Sequence, residues 1–208
     1  MESRGYIRAG RHSGTRSTIV LAVISGVALL VLIGPAAVAS NWQGATSKTG
    51  CNLNMTENSQ VAIYGFGLSS ATANAVSWVR TNVLDPTALT TSTPSSAGTA
   101  DVVVYDAYYV EICGEKMYSA GGDYVGFANC TKKHTVGQYA GRCDVHEVFI
   151  DQAYVDAVAT SAERRILCHE LSHTLSLSHR DVSDSCIRTP PLVAVLADHD
   201  KAHINSHY

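Results

Sequence analysis

Cys168-His169-Glu170-Leu171-Ser172-His173-Thr174-Leu175-Ser176-Leu177-Ser178-His179 is the passage from which the rest of the chain becomes readable. His169 and His173 are four residues apart, so on a helix their imidazoles share a face and can aim at one metal ion. Two imidazoles on a rigid face suit zinc, which lowers the pKa of a bound water to about 7, and Glu170 stands where a carboxylate can take that water's proton. His179, six residues past His173, would lie about 240° around a continued helix, out of reach of the same ion. The helix must therefore break near Ser176. Three histidines then leave one tetrahedral position for water, the geometry of a catalytic zinc site rather than a structural one.

Upstream, Thr160-Ser161-Ala162-Glu163 reads as a capping box opening a helix that runs to about Leu175. Asp101-Val102-Val103-Val104-Tyr105 and Val145–Ile150 have the β-branched character of buried strands. A glycine-bearing strand over 121–128 would suit a sheet edge. Ala73, Val76, Val79 and Val83 recur at helical spacing, predicting a helix from about Ser70 to Leu84 that stops at Asp85-Pro86. The Ser/Thr-rich stretch 87–100 reads as a surface loop. Strands separated by helices in a chain of this size imply an α/β or α+β fold with the histidine-bearing helix packed on the sheet.

The chain has 208 residues, 46% of them hydrophobic and 16% charged, which excludes disordered, collagen-like and coiled-coil classes. Residues 1–39 hold four arginines and one glutamate, leaving 11 basic against 17 acidic residues in the remainder. That acidic body argues against nucleic-acid binding. Arg4, Arg8, Arg11 and Arg16 precede an uncharged stretch, Thr18–Ala39, ending Pro35-Ala36-Ala37-Val38-Ala39. This is the layout of a secretory signal cut before Ser40, the rival being an uncleaved membrane anchor. Either way residues 40–208 form one domain outside the cytoplasm. The six cysteines, Cys51, Cys113, Cys130, Cys143, Cys168 and Cys186, are then expected in disulfides, and none forms a C-x-x-C pair. The sequence contains neither a G-x-S-x-G elbow nor a P-loop.

The spacing of His169, Glu170, His173 and His179 resembles the metzincin zinc endopeptidases, and the surrounding residues look like a small secreted matrixin-like member. The segment Leu196-Ala197-Asp198-His199-Asp200-Lys201-Ala202-His203-Ile204-Asn205-Ser206-His207-Tyr208 is similar to the matrixins' closing helix. The resemblance implies a twisted mixed sheet with one antiparallel edge strand, an active-site helix beneath it and a C-terminal helix. It also implies one catalytic Zn2+, Glu170 as general base, and an extended polypeptide substrate lying along the edge strand of a monomer. Two positions depart from the family pattern. The glycine that turns the chain after the helix is Ser176, at a cost of about 1–2 kcal/mol in a left-handed conformation. The methionine of the Met-turn is replaced by Ile187. On the resemblance, Cys168–Cys186 would tie the two halves of the site together; Cys130–Cys143 and Cys51–Cys113 remain, with connectivity open. His134 and His146 are candidates for an accessory zinc site. A structural Ca2+ is not readable. His199, His203 and His207 form a second stripe that could bind metal or simply be a polar helix face. The expected function is a secreted zinc metalloendopeptidase, the alternative an impaired zinc-binding protein of the same fold that acts as a binding module.

Overall fold

Three consecutive valines, Val102, Val103 and Val104, are buried on both faces of their strand, which is the burial of a central parallel strand covered from two sides. The computed structural model describes residues 55–112, 115–118, 125–157 and 159–208. In chain order it contains β1 (Gln60–Phe66), α1 (Ser70–Val79, continued by a π-helical turn Arg80–Leu84), β2 (Thr90–Ser92), β3 (Val102–Ala107), β4 (Tyr109–Ile112), β5 (Glu115–Tyr118), β6 (Gly126–Lys133), β7 (Cys143–Asp151), α2 (Gln152–Ala157), α3 (Thr160–Thr174) and α4 (Asp198–His207).

The five-stranded sheet has the order β2-β1-β3-β7-β6. Its first four strands are parallel and β6 is antiparallel to β7, so the antiparallel strand lies at one edge. β4 and β5 form a separate antiparallel pair. Helix α3 packs on the sheet through Ile166, Leu167 and Leu171, which join Val104, Val148 and Ile150 in one apolar core. α1 adds Ala75, Val76 and Val79 to that core, and Arg164 of α3 stacks over the Trp78 ring at 4.7 Å. The mixed α/β architecture with one antiparallel edge strand is the expected one.

The differences have local causes. β1, whose Val61 and Ile63 are buried, occupies a stretch for which the sequence predicts no element. The edge strand runs over Gly126–Lys133; it shares 126–128 with the expected stretch, of which residues 121–124 lie outside the described residues, and its pairing with β7 continues past the Cys130 position through a register shift. The loop 87–100 keeps its irregular course but adds the short β2 to the sheet. The capping box does not form: Ala159 caps α3 without a side-chain bond, and Glu163 is turned inward, 1% exposed.

Cys130–Cys143 bridges β6 and β7, and Cys168–Cys186 joins α3 to the segment before α4. The expected Cys51–Cys113 pair and the 1–39 signal or anchor lie outside the described residues. No helix among the described residues is long and apolar enough to cross a membrane.

Candidate metal centre and adjoining cavity

Helix α3 ends one residue short of the predicted stop, in a Schellman arrangement. The Ser176 N–H donates to the His173 carbonyl at 2.9 Å and the Leu177 N–H to the Ser172 carbonyl at 3.3 Å, with Ser176 at φ 67°. This left-handed residue turns the chain so that His179 comes back to face His169 and His173. The three Nε2 atoms lie 3.0, 3.1 and 3.1 Å from one another. A tetrahedral zinc ion with Zn–N bonds of about 2.0–2.1 Å spaces its nitrogen ligands by about 3.3 Å, so this donor set fits such an ion.

Backbone carbonyls fix the rings. His169 Nδ1 donates to the Cys186 carbonyl at 2.7 Å and His173 Nδ1 to the Leu177 carbonyl at 2.7 Å. With Nδ1 protonated, a neutral ring carries its lone pair on Nε2, the atom aimed at the common centre. Burial keeps both rings neutral, pushing His169 down to about 4 and His173 down to about 3, and it lowers His179 in the same way. His179 is exposed, so the cluster opens to solvent on that side.

Glu170 follows the first histidine and is 7% exposed; desolvation pushes its carboxyl up to about 8. Its side chain lies against the first residue of the edge strand. A Cβ placed on Gly126 would meet Glu170 Cγ and Oε1 and Ile166 Cγ2, each at 2.8 Å. Only glycine lets strand and carboxylate approach so closely.

A cavity of about 650 Å3 adjoins the cluster. β6 contributes Gly126, Phe127 and Ala128, α3 contributes Ala162, Arg165, Ile166, His169, Glu170 and His173, and Thr189, Pro190 and Pro191 close the far wall. Arg165 Nε is buried without a hydrogen-bond partner, while its Nη1 makes one long contact, 3.4 Å, to the Leu192 carbonyl. The sequence singles out neither Arg165 nor Gly126 as a site residue. Arg165 stands one turn before His169, and that spacing was the available signal.

The segment between α3 and α4 is tied to α4. Ser185 Oγ donates to Asp200 Oδ2 at 2.6 Å and Arg180 Nη1 to Asp200 Oδ1 at 3.1 Å. Ile187, at the Met-turn position, is fully buried in the core. His134 and His146 are not brought together. His134 groups with Glu57 and Asp144, their ligand atoms within 4.8 Å of one another, whereas His146 lies inside the sheet beside the Cys130–Cys143 bridge.

No protein-family model and no curated protein matches the chain. Among solved structures it is similar to myroilysin, at 16% sequence identity and a TM-score of 0.39, over 58% of this chain and 49% of that one, so the match spans about half of the myroilysin chain.

Proposed function

We propose that the chain is a zinc-dependent, metzincin-like endopeptidase that acts outside the cytoplasm, with residues 1–39 as its secretory signal and 40–208 as its catalytic body. The supporting observation is the convergence of His169, His173 and His179 through Nε2 beside a buried carboxylate at the mouth of a cavity. Bound zinc supplies Lewis acidity and a water made acidic enough to deprotonate near neutral pH.

The residues of the chain do the rest. The Cys186 and Leu177 carbonyls hold two imidazoles in the ligating tautomer. Glu170 accepts a proton from the attacking water on its carboxylate and delivers it to the leaving amine. Its buried setting keeps bulk water from competing for that proton, and a neighbouring dication favours the carboxylate against the desolvation that raises it. The edge strand β6 offers backbone groups to an extended peptide by strand addition, and the cavity takes one of its side chains. The two disulfides suit an oxidising compartment.

Hydrolysis of unfolded casein by the secreted, oxidised protein, with and without a chelator and beside Glu170→Ala, tests the reading. Chelator-sensitive cleavage lost in Glu170→Ala is expected. A folded, zinc-loaded protein that cleaves neither casein nor a mixed peptide library would overturn the enzyme reading in favour of a binding module.

A further inference from the structure

Helix α4 carries His199, His203 and His207 at successive four-residue spacings, yet the three rings are not equivalent. The rings of His199 and His203 have centroids 4.6 Å apart with planes at 89°, and their Nε2 atoms are 3.1 Å apart. The His169–His173 pair, one turn apart on α3, shows the same values: 4.6 Å, 89° and 3.1 Å. His203 and His207 share the spacing but not the geometry, with centroids 6.2 Å apart and planes at 41°. His207 instead turns its Nδ1 onto the His203 carbonyl at 2.7 Å. Helical spacing alone therefore does not produce the convergence.

We propose that His199 and His203 form a second metal site on α4, separate from the three-histidine centre and selective for divalent ions that favour imidazole. Asp200 and Ile204 take the buried face of the helix, so the histidine pair sits half-buried on its flank, where an ion from solvent can reach it. Two nitrogen donors with no carboxylate in the ligand set suit Zn2+, Cu2+ or Ni2+ and disfavour Ca2+ and Mg2+. With two protein ligands the ion keeps open positions for water or another ligand. It is held more weakly than at a three-histidine centre and exchanges freely.

The site does not depend on the proposed peptidase activity, and its test reads metal rather than turnover. The full-length protein is titrated with Zn2+ against a chromophoric chelator, beside His199→Asn, His203→Asn and His207→Asn, with circular dichroism to show that each is folded. His199→Asn and His203→Asn are each expected to lose one zinc equivalent relative to wild type, the weaker one, and His207→Asn to lose none. Any zinc held by Glu57, His134 and Asp144 or by the α3 histidines is common to all variants and cancels. The same lost equivalent is expected when the comparison is made in a His169→Asn background. Equal stoichiometry in wild type, His199→Asn and His203→Asn would overturn the proposal and leave a hydrogen-bonded histidine pair. Ca2+ is expected to displace none of the weaker zinc at equal concentration, and displacement would overturn the assignment of ion class.

Discussion

Glu163 and Glu170 lie two turns apart on α3, both buried, and their surroundings assign them different work. Both Glu163 carboxylate oxygens are buried without a hydrogen-bond partner, and desolvation, followed by repulsion from Asp106 and Asp156, raises its pKa. A carboxyl whose folded pKa is raised favours the folded state most below its unfolded value of about 4.3, and that contribution is lost as pH rises through the folded value. Glu163→Gln, which cannot ionise, is therefore expected to stabilise the protein at pH 8, with the difference vanishing near pH 4. Urea unfolding at the two pH values measures it, and equal effects at both would show that the fold does not raise the pKa of this carboxyl. Glu170 is held instead against Gly126. Gly126→Ala must move either the strand or the carboxylate, so peptidase activity should fall at least tenfold while zinc content stays unchanged. Zinc analysis beside kcat measurement separates this from a loss of ligands. The unpartnered Arg165 Nε in the cavity carries its own expectation. A peptide whose cavity-bound side chain is Glu should be cleaved faster than its Leu counterpart, by roughly tenfold for one charge-assisted pair, and Arg165→Leu should reverse that order.

The end of α3 shows how an element can place a site. Ser176 adopts the left-handed conformation that glycine adopts at lower cost, and it is fully buried there. Ser176→Gly removes a steric cost of about 1–2 kcal/mol, offset in part by the greater freedom of glycine in the unfolded chain. A net gain below about 1 kcal/mol is expected, seen as a small rise in Tm with zinc affinity preserved. This break was legible because His179 could not otherwise join His169 and His173, so the chemistry of three ligands demanded a turn at a known place. β3 and β7 were legible from their runs of β-branched residues, and α1 from apolar residues that recur at helical spacing. β1 was not, because its Tyr64, Gly65 and Phe66 break the alternation that Val61 and Ile63 begin. The capping box misled because Thr160 and Glu163 have the right spacing, while the fold turns Glu163 into the interior instead of back along the backbone. Gly126 was invisible as a site residue, since its role arises from packing between β6 and α3, elements far apart in sequence.

At the scale of the whole molecule, the candidate site depends on contacts that bring Thr56, Tyr208 and α4 around α3. The Thr56 N–H donates to the Thr174 carbonyl at 3.1 Å, and the Thr56 hydroxyl pairs with Tyr208 Oη at 2.7 Å. Tyr208 and the segment leading into β1 are thereby pinned beside the end of the histidine-bearing helix. α4 holds the other side through Asp200, which is fully buried and accepts from both Arg180 and Ser185. Arg180 follows His179, and Ser185 precedes Cys186, whose carbonyl orients His169 and whose sulfur is bridged to Cys168. One carboxylate therefore braces the segments that carry the third histidine and the carbonyl behind the first. Removing it strands the Arg180 cation in a half-buried setting and leaves the Ser185 hydroxyl without its acceptor. Loss of one partner of a buried ion pair costs about 3–5 kcal/mol, and this is the destabilisation expected of Asp200→Ala. A global packing defect would leave zinc affinity in the remaining folded population unchanged. The brace predicts more, namely weaker zinc binding in folded Asp200→Ala, with His179 less restrained than His173. Zinc titration of the folded variant below its unfolding transition tells the two apart, and unaltered affinity would reduce Asp200 to a stabilising residue with no part in shaping the site.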